Sequence, residues 1–259
     1  MISNMKRISM YLAAILLAIT NLYAKDTLRV MTYNVYIGGM ADMQEIGEYI
    51  KSQNPDIVLL QELDVYTNRP DAPSQNGHNQ MAELGFYANM LPVFGATIAH
   101  YSGGYYGIGI LSKHPISSSK LIHLPQAHPR TERRGMLVAE VLIDGKKLTV
   151  MDTHLALNEK DRKVQMRYIA RYSREHIKGK RLLCGDLNST PSENLVPKIF
   201  KAWEDALPEG QPTFSSDNPR YKYDWMLYPK KHALHILDAQ IDTTSLLSDH
   251  LPGIIEFTF

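Results

Sequence analysis

Short runs of alternating apolar and polar residues, separated by turn residues, recur along this 259-residue chain and restrict its fold more than any other feature. One run extends from Met136 to Ile143, and after Asp144-Gly145 a second extends from Lys147 to Met151. A period of two is typical of half-buried strands, and Asp-Gly favours the type I′ turn of a hairpin. The sequence therefore predicts antiparallel strands.

Helical patterns are fewer than strand patterns. The predicted helices are Met43 to Ser52, Gln80 to Leu84, Asp161 to Lys178 and Asn194 to Phe200. The predicted strands are Leu28 to Tyr33, Ile57 to Leu60, Phe86 to Phe94, Gly107 to Leu111, Gly135 to Ile143, Lys147 to Asp152, Arg181 to Cys184 and Ile254 to Phe259. This mixture predicts an α+β sandwich of two mainly antiparallel sheets with helices outside.

The first 24 residues have the features of a secretory signal peptide. Lys6 and Arg7 precede an apolar run from Ile8 to Ile19, and the small residue Ala24 precedes Lys25. The apolar run is shorter than the roughly 20 residues that span a bilayer. We therefore expect cleavage after residue 24, export to the periplasm or the medium, and a single domain over residues 25–259.

The cysteine count and the charge balance exclude several classes of protein. Cys184 is the only cysteine, so neither an intrachain disulfide nor a cysteine metal site can form. Lys and Arg number 28 against 27 Asp and Glu, so no overall charge directs the chain to nucleic acid. Nothing in the sequence implies a stable protein partner, and we expect a monomer.

Acidic, amide and imidazole side chains cluster where predicted strands end. The residues at these positions are Asn34, Glu62, His154, Asp186, Asn188, Asp249 and His250. Because strand ends converge at one rim of a sheet, such residues can form one site. Taken singly, each of them is more often a turn or surface residue, so the joint pattern carries the interpretation.

This set of residues suits the hydrolysis of a phosphate ester, which needs a hard cation, an activated water and a proton donor. Oxygen ligands such as Glu62, Asp249 and the Asn34 amide favour Mg²⁺ or Mn²⁺. Asp186 can accept a proton from water. His154 and His250 can donate one, and Asp224 is available to orient an imidazole.

Six short segments follow one another in the same order as motifs that are known from other proteins. They are Met31-Thr32-Tyr33-Asn34-Val35, Leu60-Gln61-Glu62-Leu63-Asp64, Asp152-Thr153-His154-Leu155, Cys184-Gly185-Asp186-Leu187-Asn188-Ser189-Thr190-Pro191, Tyr223-Asp224-Trp225 and Ser248-Asp249-His250-Leu251-Pro252. Over residues 28 to 259 they resemble the motifs of the endonuclease/exonuclease/phosphatase superfamily, which includes deoxyribonuclease I and exonuclease III.

The resemblance implies a four-layer α/β/β/α sandwich and single-step attack by water beside a divalent metal. It implies metal binding by Glu62, with Asn34 and Asp249 close by. It implies that Asp186, assisted by Asn188, positions or deprotonates the attacking water. It implies that His250, paired with Asp224 as a dyad, contacts the scissile phosphate. His154 resembles a second catalytic histidine.

Three further segments resemble bacterial metal-dependent hydrolases of the same superfamily. They are Thr67-Asn68-Arg69, Asn79-Gln80 and Gly103-Gly104-Tyr105-Tyr106-Gly107. From this region and the Arg130, Arg133, Arg134 cluster, we predict that Arg69 and Arg134 bind the substrate phosphate. The alternative is that these arginines are exposed loop residues that do not bind phosphate.

The function expected from these features is an exported metal-dependent phosphoesterase, with phosphodiesterase activity favoured. A nuclease for DNA or RNA and a sphingomyelinase-like phospholipid hydrolase stay open, because each substrate presents the same phosphate. A binding module that keeps the fold without catalysis is the alternative from another class. A serine hydrolase is excluded, because the adjacent Ser248, Asp249 and His250 cannot align as a triad.

Overall fold

The computed structural model describes residues 27–70 and 72–258. The predicted signal peptide, residues 1–24, lies outside the described residues. No helix among those described is both long and apolar enough to cross a membrane.

Two six-stranded sheets form the centre of the fold. In spatial order, the first sheet contains β11 (His235–Ile241), β12 (Gly253–Thr258), β1 (Thr27–Asn34), β2 (Ile57–Val65), β4 (Tyr105–Ser112) and β3 (Leu91–Ala99). The second contains β5 (Ile116–His123), β6 (Gly135–Ile143), β7 (Lys146–His154), β8 (Arg181–Asp186), β10 (Asp224–Pro229) and β9 (Trp203–Asp205). Among the strand pairs of the described residues, only β1 with β2 and β7 with β8 are parallel.

In the part of the chain that the structure describes, four α-helices cover the outer faces of the sheets. They are α1 (Met43–Gln53), α2 (Gln80–Ala88), α3 (Glu159–His176) and α4 (Leu195–Ile199). Apolar residues of α1 and α2 share a core with the outer face of the first sheet, and those of α3 and α4 share one with the second. The inner faces of both sheets share a third core. The predicted four-layer α+β sandwich is confirmed.

The β6–β7 hairpin forms as predicted. Asp144 and Gly145 have φ angles of 47° and 79°, and Leu142 pairs with Lys147 across the turn. Both central residues of a type I′ turn need positive φ, which Asp and Gly accept at low cost. The turn therefore fixes the register that brings the far end of β7 to the site described below.

The strand prediction for Phe86 to Phe94 is wrong in its first half. Residues up to Ala88 belong to α2, Asn89 ends that helix in the left-handed conformation, and the strand begins at Leu91. The helix buries Leu84 and Ala88 while Phe86 faces solvent. The apolar residues here therefore follow a helical period, which a short apolar run does not distinguish from a strand. The sequence also gave no separate signal for β5, β9, β10 and β11.

Candidate active site

Most of the polar residues at the strand ends continue the inward-facing period of their strands. On β7, Leu148 and Val150 belong to the core between the sheets, and Asp152 and His154 follow at the same period. On β8, Cys184 in the core is followed by Asp186. Because a strand alternates its faces, the positions beyond the apolar core face the same cleft between the sheets.

Glu62 reaches this cleft through a break in the regular period. The period of β2 directs Gln61 inward and would direct Glu62 outward, but the β2–β4 register shifts between Leu60 and Leu63, and Glu62 has φ 59°. Such a bulge re-aims a side chain. Positive φ in a non-glycine residue is strained, and strain of this kind concentrates at functional sites.

Asn34 joins the two sheets at the cleft. Its Nδ2 donates to Glu62 Oε1 at 3.0 Å and to Asp186 Oδ2 at 3.3 Å. Its Oδ1 accepts a hydrogen bond from the backbone N–H of Tyr36 at 3.0 Å. The predicted metal ligand thus lies between the two carboxylates, and in this arrangement it contacts them as a donor.

Asp186 lies at the centre of the site. The backbone N–H of Asn188 donates to its Oδ1 at 2.7 Å, and its Oδ2 lies 3.5 Å from His154 Nε2 and 3.7 Å from His250 Nε2. Burial raises the pKa of Asp186 to about 7, although the nearby charge of His250 opposes the rise. A carboxyl group with this pKa can exchange a proton near neutral pH.

Gly185 allows Asp186 to take this position. Its φ is 133°, and a Cβ added there would lie 2.0 Å from the Thr153 carbonyl oxygen on the neighbouring strand. Only glycine avoids both the conformational strain and the clash. The close approach of β7 and β8 places His154 opposite Asp186 in register.

His250 and Asp224 form the predicted dyad contact, with His250 Nδ1 and Asp224 Oδ2 2.9 Å apart. Burial alone would lower the pKa of His250, but the charge of Asp224 and its hydrogen bond outweigh that effect and raise the pKa to about 10. The ring is therefore a cation at neutral pH. Its Nε2 lies 3.7 Å from Asp186 Oδ2, so a cationic ring is adjacent to an acidic group.

His154 has the opposite protonation state. Burial lowers its pKa well below the ordinary value, and the positive charges of Arg134 and His250 lower it further. The Tyr106 hydroxyl lies 3.5 Å from its Nδ1. The site thus contains one neutral and one charged imidazole, both in contact with Asp186.

The two predicted carboxylate ligands, Glu62 and Asp249, line the same cavity. Burial raises the pKa of each, and the charge of Asp249 adds to the rise at Glu62. Among the described residues, no cluster of three or more His, Cys, Asp or Glu side chains has the geometry of a complete metal cage. Mg²⁺ commonly uses one or two carboxylates with water and substrate oxygens, so this donor set fits such an ion.

The two predicted phosphate-binding arginines differ in their surroundings. Arg69 contacts both carboxylate oxygens of the buried Asp64, with Nη2 to Oδ1 at 3.1 Å, and it lies over the Tyr106 ring. Arg134 pairs with the exposed Glu132 through Nη2, while its buried Nε and Nη1 have no hydrogen-bond partner among the described residues. Arg134 is therefore the arginine with donors left for a ligand.

The segments around Arg69 brace this wall of the site. Asp64 accepts a hydrogen bond from the Thr67 hydroxyl at 2.7 Å, and its backbone N–H donates to Gln80 Oε1 at 2.8 Å. Gln80 in turn donates to the carbonyl oxygen of Ile37 at 2.6 Å. The Thr67-Asn68-Arg69 and Asn79-Gln80 segments thus converge on the strand that carries Glu62.

All ten predicted site residues except Asn34 and Asp224 line a single cavity of about 840 Å³, and these two contact its lining from behind. Residues that the sequence analysis did not select also form its walls. They are Tyr36, Ile37, Ile98, Ala99, His100, Tyr101, Tyr106, Glu132, Leu157, Phe214 and Tyr223. Tyr106 and Tyr223 stand in motif segments that the sequence analysis quoted, and the inward period of β4 was a second signal for Tyr106. The others are loop and edge-strand residues whose position depends on the tertiary fold.

Comparisons with known proteins identify the family and the fold. A family model described as the endonuclease/exonuclease/phosphatase family matches residues 31–250. A search of curated proteins finds no match. Solved structures do match, and at the identities below they show the fold alone.

One similar structure is an endonuclease/exonuclease/phosphatase from Beutenbergia cavernae, with TM-score 0.74 and 22% identity over 90% of this chain and 72% of that one. A mannosyl-6-phosphatase from Bacteroides thetaiotaomicron has TM-score 0.71 and 13% identity, over 90% of this chain and 100% of its own. A humanized D. rerio TDP2 has TM-score 0.65 and 18% identity, over 90% and 99%. With a family model that matches residues 31–250 and the same fold in these structures, the chain belongs to the endonuclease/exonuclease/phosphatase family.

Proposed function

We propose that this protein is an exported, metal-dependent phosphodiesterase that hydrolyses its substrate by direct attack of water. The observation that carries the proposal is one continuous chain of contacts along and directly behind the wall of the cavity. It runs from Asp224 through His250, Asp186 and Asn34 to Glu62. It connects acid and base groups of different pKa to oxygen donors for a hard cation, the combination that phosphate ester hydrolysis requires.

Glu62 and Asp249, with Asn34 beside them, are the residues that would hold Mg²⁺ or Mn²⁺. The bound ion would neutralise charge on the phosphate. The crowding of Glu62, Asp186 and Asp249 supports this assignment, because burial and mutual repulsion disfavour their ionised forms unless a cation is near.

Asp186 is the proposed acceptor for the proton of the attacking water, with Asn188 fixing one of its oxygens. The cationic ring of His250 is the proposed donor to the phosphate or the leaving oxygen, and Asp224 keeps it oriented and charged. His154 is neutral and offers a hydrogen bond without adding charge. Arg134 is the proposed phosphate ligand at the cavity wall, and Arg69 supports that wall through Asp64.

The size of the cavity favours a small substrate. A volume of about 840 Å³ lies within the range of small-molecule sites. A phosphorylated small molecule or a lipid headgroup therefore fits better than a nucleic acid duplex. The same observation favours a second candidate, a phosphomonoesterase for such molecules, an activity that the name of the structurally similar mannosyl-6-phosphatase assigns to that protein.

A panel of substrates tests the proposal. Monoesters, diesters, oligonucleotides and sphingomyelin are incubated with the mature chain in Mg²⁺, Mn²⁺ or a chelator, and released phosphate or alcohol is measured. Metal-dependent turnover of a small diester supports the proposal, turnover of monoesters alone favours the second candidate, and no turnover of any ester favours the binding module.

Export is tested separately. Mass spectrometry of the protein from the culture's periplasmic and secreted fractions is expected to give an N-terminus near Lys25. Recovery of the intact chain, residue 1 included, from the membrane fraction alone would show a retained membrane anchor instead of a cleaved signal peptide.

A further inference from the structure

A polar pair lies between the apolar core and the catalytic residues. Gln61 on β2 and Asp152 on β7 are both completely buried. Gln61 Nε2 donates to Asp152 Oδ1 at 2.7 Å, and this contact joins the first sheet to the second. Gln61 precedes Glu62 in sequence, and Asp152 lies two residues before His154. The pair is therefore directly behind two residues of the proposed site.

Two atoms of this pair are unsatisfied. Gln61 Oε1 and Asp152 Oδ2 are buried and have no hydrogen-bond partner among the described residues. Both are acceptors when Asp152 is ionised, and an amide oxygen never carries a hydrogen. Buried polar atoms are normally hydrogen-bonded, so each unsatisfied one needs an explanation. A hydrogen on Asp152 Oδ2 would turn that atom into a donor, and Gln61 Oε1 of the same pair is an acceptor that lacks one.

We propose that Asp152 is a protonated, neutral carboxylic acid at neutral pH and forms a two-hydrogen-bond ring with the Gln61 amide. In this ring Asp152 Oδ2–H donates to Gln61 Oε1, and Gln61 Nε2–H donates to Asp152 Oδ1. The ring holds the ends of β2 and β7 together behind Glu62 and His154. Asp152 is then a positioning residue, and this second part rests on the proposed function.

The surroundings of Asp152 favour the neutral form. Burial raises the pKa of Asp152 well above its ordinary value, by more than the Gln61 amide and nearby backbone N–H groups lower it. From β8 the facing titratable residue is Cys184, whose pKa burial raises well above its ordinary value. His154 and Asp186 are the next inward residues on the two strands. Among the described residues, no cationic side chain pairs with Asp152.

Asp205 is a matched contrast in the same protein. It is also a largely buried aspartate whose pKa burial raises, but its Oδ2 lies 3.0 Å from Nζ of the buried Lys222. Lys222 compensates the negative charge of Asp205, whereas no cationic side chain among the described residues compensates a charge on Asp152. The isosteric change of aspartate to asparagine should therefore have opposite effects at the two positions.

Thermal unfolding of the variants tests the protonation. Asp152→Asn keeps a hydrogen on the atom that faces Gln61 Oε1, so the Tm at neutral pH should be unchanged or higher. Asp205→Asn leaves Lys222 buried without a counter-charge and should lower the Tm by roughly 6 °C or more. A fall of similar size in Asp152→Asn would show that Asp152 is ionised and would overturn the proposal.

The pH dependence of stability gives an independent measurement. A folded-state pKa above the unfolded value means that the folded protein holds the proton more tightly. The stabilisation from Asp152 is thus complete below about pH 4 and is lost as the pH rises through the folded-state pKa. Asp152→Asn should lack this loss, so its advantage over the wild type should grow from about pH 4 upward. A difference that is independent of pH would contradict the proposal.

Infrared spectroscopy detects the proton directly. Protein labelled with ¹³C-aspartate should show, at neutral pH, a protonated-carboxyl band that is missing in Asp152→Asn and retained in Asp205→Asn. If Asp152→Asn kept every protonated-carboxyl band of the wild type, the proposed protonation would be overturned, whether or not the protein hydrolyses esters.

The positioning part is tested on whichever ester the wild type hydrolyses. Asp152→Ala should lower kcat and raise the metal concentration needed, and Asp152→Asn should restore both to wild-type values. Full activity in a folded Asp152→Ala variant would overturn positioning while the protonation stood. If the wild type hydrolyses no ester, the proposed function fails, and the unfolding and infrared measurements still decide the state of Asp152.

Discussion

The Nδ1 atom of His250 lies 2.9 Å from Oδ2 of Asp224, in a buried contact between the segment before β12 in the first sheet and the first residue of β10 in the second. This hydrogen bond fixes the ring so that Nε2 faces Asp186. It also keeps the ring charged at neutral pH, because its pKa is about 10. The three residues are thus expected to act as one unit.

The first prediction is non-additivity in this unit. Asp186→Ala and His250→Ala should each lower kcat by roughly 10² to 10⁴, the usual contribution of a general acid or base. The Asp224→Ala, His250→Ala double variant should be little slower than His250→Ala alone. A double-mutant cycle with folding checked by circular dichroism measures this. Losses that simply multiply would show that the two residues do not form a dyad.

The second prediction concerns the metal. Chelation should abolish turnover, and Mg²⁺ or Mn²⁺ should restore it. Glu62→Gln keeps the side chain's size but removes its charge, so it should raise the metal concentration for half-maximal rate by at least the roughly 10- to 100-fold seen on losing an outer-shell partner. Metal titration of the rate is the measurement, with Glu45→Gln on the exposed start of α1 as control. An unchanged requirement would remove Glu62 from the site.

The third prediction separates the two arginines at the cavity. Arg134→Ala should lower kcat/KM by roughly 10- to 100-fold, the scale of a hydrogen bond to a charged group. Arg134→Lys should not restore it, because lysine cannot form the bidentate contact. The neighbouring Arg133 is exposed, so Arg133→Ala is the matched control. Equal effects at both positions would indicate only a general charge effect.

Arg69→Ala should behave differently, because Arg69 is engaged by Asp64. Its loss leaves a buried carboxylate without its counter-charge, which destabilises a protein. We expect a lower Tm together with a lower rate, whereas Arg134→Ala should alter the rate with little change in Tm. Thermal unfolding beside the kinetics distinguishes the two outcomes.

The fourth prediction is a fall in the stability of the metal-free protein as pH rises. The folded-state pKa values of Asp186, about 7, and His250, about 10, are both above the ordinary values. The stabilisation from each is complete below the unfolded-state pKa and is lost as the pH rises through the folded-state value. Denaturant unfolding in a chelator at about pH 5, 7 and 9 measures this. Asp186→Asn should lose the fall that Asp186 contributes between about pH 5 and 7, and the contribution of His154 cancels in this comparison. Parallel wild-type and Asp186→Asn profiles would contradict the assignment.

The sequence by itself determined the fold class, most of the elements and which residues to propose for the site. Alternation predicted the hairpin of β6 and β7 because one face of each strand is buried and the Asp144-Gly145 turn accepts positive φ. The same period placed His154 and Asp186 on the inward face beyond the apolar core. The motifs that contain these residues were recognised separately, by their resemblance to a known family.

Local pattern was insufficient where burial comes from distant parts of the chain. The apolar letters around Phe86 predicted a strand, but α2 continues to Ala88 because its other face packs on the first sheet. Edge strands such as β5 and β9 were not predicted. An edge strand is paired and covered only after the sheet forms. The alternation of apolar and polar residues in its sequence is therefore weak.

Only the tertiary structure decided how the site is connected. The inward turn of Glu62 depends on the bulge against β4, and the bridging of Glu62 to Asp186 by Asn34 depends on the packing of one sheet on the other. The charge states of His154 and His250 likewise follow from burial and from the Asp224 contact. These properties depend on distances between atoms far apart in the chain, which a linear pattern specifies only through the complete fold.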